Sequence, residues 1–202
     1  VQGGTWQGVN QAGLMVALTN RIDGSLHPDR RSRGRLCTDA LGQTTSAAAI
    51  DWVLGHLQGR GYNPFNMICA DAEQALILHY AGHPDVRDLR PGLHVLTDTD
   101  VDDSSHPRVA LSQVLLRGKL SKNWDETCLT LSGIMADHAE DTDVDGELCR
   151  HGAEGGTVSS SLVAIGARGL QGANFHFSPG PPCIHPYENL SPQLTAGPVV
   201  TP

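Results

Sequence analysis

The 202-residue sequence lacks long apolar segments and is poor in aromatic and basic residues. No run approaches the ~18 consecutive apolar residues of a membrane-spanning helix, so we expect no membrane span. Aromatic residues make up 4% of the chain, and 14 basic residues face 22 acidic ones, for a formal net charge of -8. A nucleic-acid partner requires a basic face, so this composition argues against one.

The cysteines and histidines lack the spacings of common metal and disulfide motifs. The five cysteines are odd in number, widely spread and without a CxxC pair, which argues against a disulfide framework or a zinc knuckle. We predict free thiols in a reducing, cytoplasmic compartment. The ten histidines include no HExxH pair; they leave a metal or haem contact open without identifying its ligands. The cysteines are Cys37, Cys69, Cys128, Cys149 and Cys183.

The glycine-rich stretch HGAEGGTVSSS (151–161) matches neither a phosphate-binding loop nor the motif of a nucleophilic serine. It has no lysine for a P-loop and no GxSxG spacing for a serine-hydrolase elbow. The favoured interpretation is a tight turn that enters a strand with hydroxyl side chains on one face.

What the sequence does contain is a series of hairpins and helices in one domain, residues 1–202, with a Pro-rich tail at 180–202. Hairpins with paired helices favour an α+β fold of antiparallel sheets. A polar loop is predicted at 21–34, and Ser46 is the expected N-cap of the first helix. The predicted strands are 4–9, 14–19, 65–71, 74–81, 94–98, 156–165 and 173–178; the predicted helices are 49–57, 106–117 and 123–136.

Two acidic stretches, DTDVDD (98–103) and DTDVDG (141–146), have some features of a calcium loop. Asp141, Asp143 and Asp145 occupy positions 1, 3 and 5 of an EF-hand loop. Position 12 is Gly152 instead of a bidentate glutamate. A weak calcium site and a solvated acidic loop both remain open.

Asn20 stands where a predicted strand ends and the chain leaves the sheet. Its amide can donate hydrogen bonds into a cleft, as in the stabilisation of an oxyanion during amide hydrolysis. A plain turn residue is the alternative on local sequence.

Several motifs together resemble the NRDE-motif family of transport-and-Golgi-organisation type. The first block, GGTWQGVNQAGLMVALTNR, is the most specific, and the resemblance extends over nearly the whole chain. Supporting blocks are SRGRL (32–36), YNPFN (62–66), HPR (106–108), GGTVSSSL (155–162) and GPPC (180–183).

The resemblance implies a four-layer αββα sandwich of the N-terminal-nucleophile hydrolase type. It implies an oxyanion role for Asn20, with Arg21 beside it, and it aligns Asp98 with a second family asparagine. Family members carry a nucleophilic cysteine and first strands that are absent here, so we expect either that these lie upstream of Val1 or that the protein does without the usual nucleophile. The predicted substrate cleft comprises Trp6, Asn66, Thr157 and Ser159.

Three functions follow as expectations. The first is a hydrolase of non-peptide amide C–N bonds in a small molecule. The alternative is a non-catalytic protein of haem binding or haem trafficking, for which His, Cys and Met side chains are available as ligands. A calcium-dependent hydrolase is a third, which depends only on the two acidic stretches, 98–103 and 141–146.

Overall fold

A computed structural model describes the chain as two compact units. The first lies within residues 1–101 and 165–172, and the second within 102–164 and 173–197. Each unit contains an antiparallel sheet and two helices of at least eight residues. The residues described are 3–24, 26–58, 61–138, 146–153, 155–166 and 169–194.

Five strands form the sheet of the first unit, each beside the next along the chain: β1 (Gln7–Val9), β2 (Met15–Asn20), β3 (Phe65–Ala70), β4 (Ala75–Tyr80) and β5 (Pro84–Leu89). In β2, the buried Val16 and Leu18 alternate with partly exposed neighbours, as expected of a strand with one face on the core. The first turn is organised by Asn10, whose Oδ1 accepts hydrogen bonds from the N–H groups of Ala12 (3.0 Å) and Leu14 (3.1 Å). The side chain therefore takes the place of a backbone acceptor in this turn.

Two helices of the first unit, α1 (Arg33–Ala40) and α2 (Ser46–Leu57), contribute buried faces to its core. Ser32 and Thr45 are their N-caps, and their hydroxyl oxygens accept hydrogen bonds from backbone N–H groups of the first turns at 3.3 and 3.2 Å. One hydrophobic core joins these helices to the sheet; it includes Leu36, Ala49, Val53, Val16, Phe65, Met67 and Leu78.

The second unit contains the helices α3 (Pro107–Leu116) and α4 (Trp124–Met135). Asn123 caps α4, since its Oδ1 accepts hydrogen bonds from the N–H groups of Asp125 (2.8 Å) and Glu126 (3.4 Å). The remaining elements are short or form two small sheets, ordered β6–β7 and β10–β9–β8. They are β6 (His151–Gly152), β7 (Gly155–Gly156), β8 (Ser160–Gly166), β9 (Gly169–Ser178), β10 (Glu188–Asn189) and α5 (Ser191–Leu194).

The predicted α+β class with antiparallel sheets is confirmed, and the content of the two units is consistent with an αββα sandwich. Both early hairpins, the last strand pair and the predicted helices are present, with bounds that differ by up to four residues from the prediction. In the described part of the chain, no helix combines the length and the apolar content that crossing a membrane requires.

The predicted strand at 94–98 is wrong, because this segment is tied down by irregular hydrogen bonds instead of a ladder. The carbonyl oxygen of Thr97 accepts a hydrogen bond from the Asn66 side chain (3.2 Å), and that of Asp98 accepts one from the N–H of Ile22 (3.0 Å). Backbone acceptors engaged in this way are withdrawn from strand pairing.

Three further details differ from the prediction. Ser46 is the first residue of α2 and fully buried, while Thr45 takes the cap. The predicted loop 21–34 gives way to α1 at Arg33, a helix that apolar spacing did not indicate because it has only three buried side chains. The strand β5 was not predicted, since it is a largely exposed edge strand rich in charge.

Candidate functional site

Arg21 lies where β2 ends and the chain leaves the sheet of the first unit. Its backbone N–H donates to the carbonyl oxygen of Pro64 at 3.2 Å. Its side chain turns inward and is only 8% exposed. A guanidinium withdrawn from water to this degree needs polar partners, because an uncompensated buried charge is strongly destabilising.

Four side chains supply these partners, and together with Arg21 we call them the Arg21 cluster: Asp23, Asn66, His79 and Asp100. Nη1 of Arg21 donates to Oδ1 of Asn66 and to Oδ1 of Asp100, each at 2.8 Å. Nη2 pairs with the carboxylate of Asp23. Two carboxylates therefore flank the guanidinium of Arg21, and Oδ2 of Asp100 also lies 3.6 Å from Nη2 of the exposed Arg87.

Asn66 is the buried centre of the Arg21 cluster, with 0% exposure. Its Nδ2 donates to the carbonyl oxygens of Thr97 (3.2 Å) and Thr99 (2.8 Å) and to Oγ of Thr19 (3.2 Å). Carbonyl oxygens can only accept, so these contacts fix the orientation of the amide and leave Oδ1 as the acceptor toward Arg21.

The register of the sheet brings this row of polar side chains together. Thr19 of β2 pairs with Asn66 of β3, and Asn66 pairs with His79 of β4. Directly opposed residues of antiparallel strands have their side chains on the same face, within reach of each other. The cluster is therefore built on three adjacent strands, and its geometry depends on their pairing.

His79 is 5% exposed and lies beside both Asn66 and Arg21. Its Nδ1 is 2.7 Å from Oδ1 of Asn66 and 3.1 Å from Nη1 of Arg21. Because Oδ1 is an acceptor, the shorter contact assigns the proton to Nδ1, which leaves Nε2 as a bare acceptor. Nε2 has no hydrogen-bond partner within the described residues. Burial lowers the pKa of His79 and so favours its neutral form.

The charged groups of the Arg21 cluster shift each other's pKa values. The hydrogen bond from Arg21 lowers the pKa of Asp100, against the opposing effect of burial. Burial alone would lower the pKa of Arg21, but its hydrogen bonds with Asp100 and Asp23 raise it. Both groups are therefore held in their charged forms.

Among the predicted site residues, Arg21 and Asn66 are brought into direct contact. Asn20 is the exposed last residue of β2, one position before Arg21. Asp98 lies in the same unit, where its carbonyl oxygen is bound by Ile22, and Trp6 is 55% exposed beside the start of β1. Their predicted roles in a site stay predictions.

The other predicted site residues lie outside the first unit or outside the described residues. Thr157 belongs to the second unit, where its Oγ accepts a hydrogen bond from the N–H of Arg150 at 3.0 Å. Ser159 is an exposed residue of the same unit. The predicted calcium ligands Asp141, Asp143 and Asp145 fall in the segment that the structure does not describe, so that site stays a prediction.

Sequence reasoning missed His79 and the two carboxylates of the Arg21 cluster, Asp23 and Asp100. A signal for His79 was present, because it is a polar residue inside an otherwise apolar strand, β4. Asp100 falls in the acidic stretch DTDVDD (98–103), which suggested calcium binding and not a contact with Arg21, because Asp100 reaches Arg21 from an irregular segment.

Comparisons with known proteins match the chain over most of its length. A family model described as Transport and Golgi organisation 2 matches residues 1–165. The human Transport and Golgi organization protein 2 homolog is 36% identical over 103 residues, which are 48% of this chain and 37% of the human protein. The bovine homolog is 33% identical over 103 residues, and the mouse Transport and Golgi organization 2 homolog 32% over 102; these matches cover 48% of this chain and 37% and 36% of those proteins. The matched stretch is thus well under half of each relative.

Proposed function

This chain belongs to the Transport and Golgi organisation 2 family, and on that premise we propose that it is a hydrolase-like protein acting on a non-peptide amide bond of a small molecule. In this proposal Asn20 donates a hydrogen bond to the carbonyl oxygen as negative charge develops on it. Arg21 and its cluster hold the end of β2 from which Asn20 projects. The free thiols of the five cysteines accord with the cytoplasmic location predicted for such an enzyme.

The observation that carries the proposal is the position of an exposed asparagine next to a buried, fixed arginine. Oxyanion stabilisation depends on donors held in place before the reaction, since a mobile donor must be reorganised at a cost in free energy. The backbone of Arg21 is bonded to Pro64 and its guanidinium is bonded in the Arg21 cluster. Asn20 therefore precedes a residue whose backbone and side chain are both held by hydrogen bonds at this end of β2.

Arg21 itself is a positioning residue in this proposal. Two carboxylates already compensate its charge, so the guanidinium offers little net attraction to an incoming anion. The exposed amide of Asn20 carries no formal charge and can still donate. Trp6, exposed in the same unit, would supply an apolar wall for the acyl part of a substrate.

The test compares Asn20→Ala with wild type, using the protein encoded by the whole reading frame around this chain. Amine release from a panel of linear N-acyl compounds measures the activity. Removing an oxyanion donor should lower kcat by a factor of about 10² to 10³. Gln11→Ala is the matched control, since it removes an exposed amide at the other end of the same hairpin; it should leave kcat unchanged.

Two outcomes would contradict the proposal. If Asn20→Ala hydrolyses its substrate as fast as wild type, Asn20 is not the donor. If wild type releases no amine from any member of the panel and no cysteine is labelled by a thiol-directed acyl probe, the hydrolase function itself is rejected.

Haem binding is the alternative function, and one contact in the second unit favours it. Nε2 of the exposed His151 lies 3.1 Å from Sγ of Cys183. Histidine and cysteine are both axial ligands of haem iron. Titration with haem checks this function: a Soret shift that His151→Ala abolishes would support it, and an unchanged haem spectrum would reject it.

A further inference from the structure

Two cysteines and two histidines of the second unit converge on one point. His138, Cys149, His151 and Cys183 each offer one ligand atom, and these four atoms all lie within 4.8 Å of one another. We call them the Cys/His cluster. They come from three separate stretches of the chain, so local spacing does not account for their meeting.

Three distances within the Cys/His cluster lie within about 0.2 Å of the range expected for the edges of a tetrahedral metal site. Zinc binds thiolate sulfur at about 2.3 Å and imidazole nitrogen at about 2.0–2.1 Å, which places tetrahedral ligand atoms about 3.3–3.8 Å apart. The two sulfur atoms are 3.5 Å apart, and Nε2 of His151 is 3.1 Å from Sγ of Cys183 and 3.9 Å from Sγ of Cys149. A disulfide would need a sulfur–sulfur distance of about 2.05 Å, so these cysteines are free thiols.

Hydrogen bonds orient two of these groups as metal ligands are usually oriented. Nδ1 of His138 is 2.8 Å from the carbonyl oxygen of Cys149, to which it donates. This contact assigns the proton to Nδ1 and leaves Nε2 of His138 with its lone pair for an ion. The N–H of Cys149 donates to the carbonyl oxygen of Asp137 at 2.9 Å, which ties the two stretches of chain together.

The stretch that carries Cys183 is also held. The N–H groups of Ile184 and His185 both donate to the carbonyl oxygen of Pro181, at 3.0 and 2.9 Å. The fully buried Ser178 donates its hydroxyl to the carbonyl oxygens of Gly180 and His185, each at 2.9 Å. The loop is therefore shaped before any ion binds, which lowers the entropy cost of binding.

We propose that the Cys/His cluster binds a divalent zinc-class ion in a tetrahedral Cys₂His₂ site. Each thiol releases its proton as its sulfur binds, so two protons leave and two thiolates balance the charge of the ion. Four protein ligands fill the coordination sphere, which is the arrangement of structural zinc sites and not of catalytic ones. The ion would join three stretches of the second unit at one point.

The test measures metal content and cobalt spectra of the whole chain purified under reducing conditions. Wild type should contain stoichiometric zinc after dialysis against zinc and then against buffer. Replacement by Co²⁺ should give the intense visible d–d bands and the sulfur-to-cobalt charge-transfer band of a tetrahedral thiolate site. Added zinc should raise the Tm, and a chelator should reverse that rise.

Cys183→Ser and His151→Gln are the main variants, since both residues are at least partly exposed and their replacement should not prevent folding. Loss of an outer partner typically costs 10- to 100-fold in metal affinity, so loss of a direct ligand should cost more than about 100-fold. Cys183→Ser should also lose the charge-transfer intensity of one thiolate. Cys128→Ala is the matched control, because this cysteine of the same unit is outside the Cys/His cluster; it should keep zinc and the full cobalt spectrum.

Three results would overturn the proposal. The first is wild type that retains no zinc and gives an octahedral, weakly coloured cobalt spectrum. The second is a pair of variants, Cys183→Ser and His151→Gln, that bind cobalt with unchanged affinity and colour. The third is a Cys149–Cys183 disulfide found by peptide mapping of the reduced preparation.

Discussion

The Arg21 cluster and the Cys/His cluster are both groups of polar side chains, but they are held in different ways. The first is built on three neighbouring strands, whose pairing sets Thr19, Asn66 and His79 side by side. The second is built on loops and on two-residue strands. In the first cluster strand pairing fixes the side chains; in the second, hydrogen bonds of the loops place the side chains, and the proposed ion would link them.

The two clusters also balance their charges differently. In the Arg21 cluster a guanidinium is compensated by two carboxylates inside the site. The Cys/His cluster contains no carboxylate or guanidinium among its own members, and in the proposed site two thiolates would balance the charge of the ion. The comparison therefore predicts that the first cluster is stable by itself and that the second depends on its ligand.

The largest effect is expected from Phe65→Ala, which removes the packing behind the Arg21 cluster. Phe65 is 0% exposed, precedes Asn66 in β3 and points to the opposite face, into the hydrophobic core. The cavity should lower the free energy of unfolding by about 3–5 kcal/mol. Chemical denaturation monitored by circular dichroism measures the loss.

Leu129→Ala serves as the control for Phe65→Ala, since Leu129 is 78% exposed. It should change stability by no more than about 0.5 kcal/mol. Equal losses in the two variants would show that the core of the first unit is not where the structure places it.

Asn66→Ala should have the second-largest effect on stability. The change leaves donors of Arg21 and His79 without their acceptor and removes the Asn66 donor from the carbonyl oxygens of Thr97 and Thr99, of which that of Thr97 keeps the hydrogen bond from the Thr19 hydroxyl. We expect a loss of about 3 kcal/mol, the usual cost of breaking a buried polar network that contains a charge. Thermal and urea unfolding curves measure it.

Asn20→Ala is the matched comparison, because the same amide is removed from an exposed position at the end of the neighbouring strand. It should alter stability by no more than about 0.5 kcal/mol, while it lowers kcat of the proposed amide hydrolysis by a factor of about 10² to 10³. A large loss of stability in Asn20→Ala would assign it a structural role and separate it from the proposed catalytic one.

The sequence allows part of the Arg21 cluster to be predicted and none of the Cys/His cluster. A hairpin with its turn centred between Ala72 and Glu73 necessarily pairs Asn66 with His79, and this pairing is observed. Two polar residues opposed in apolar strands could thus have been recognised as a pair. The sequence can predict this contact because the pairing of residues in neighbouring strands is regular.

The Cys/His cluster could not be predicted, because its ligands follow no period and are far apart in sequence. His138 and Cys149 are separated by ten residues, and Cys183 follows His151 after a further 31. Loop conformation brings them together, and loops carry no hydrophobic pattern from which a contact can be derived. The widely spread cysteines argued against a zinc knuckle, which is a statement about local spacing only.

A smaller loss of stability, about 1 kcal/mol in the free energy of unfolding, is expected when either of two helix caps, one in each unit, is replaced by alanine. Thr45→Ala removes the acceptor for the N–H of Ala48 in α2, and Asn123→Ala removes the acceptor for two N–H groups in α4. Since the caps belong to different compact units, each change should lower hydrogen-exchange protection in its own unit. Exchange measured peptide by peptide by mass spectrometry checks this.

The cap variants would contradict the division into units if either one reduced protection equally throughout the described chain. The two units would then unfold as one, and the stability of the Cys/His cluster would follow that of the Arg21 cluster. Added zinc sharpens the measurement, because it should raise protection of the second unit only.

The smallest change is expected from the protonation of His79, because it involves a single group in the Arg21 cluster. Burial holds the pKa of His79 in the folded state below the unfolded value of 6.5, so the unfolded chain binds the proton more readily. The resulting stability is present above pH 6.5 and is lost as the pH falls through the lower, folded pKa. His79→Gln should therefore lose less stability than wild type between neutral pH and pH 5, as urea unfolding at successive pH values measures. Parallel curves for the two proteins would mean that His79 is protonated equally in both states.

Asp100 does not obscure the difference, since its pKa is lowered by the hydrogen bond from Arg21 and its contribution is lost only below pH 3.8. The two pH ranges thus separate the buried imidazole of the Arg21 cluster from the carboxylate that compensates its guanidinium.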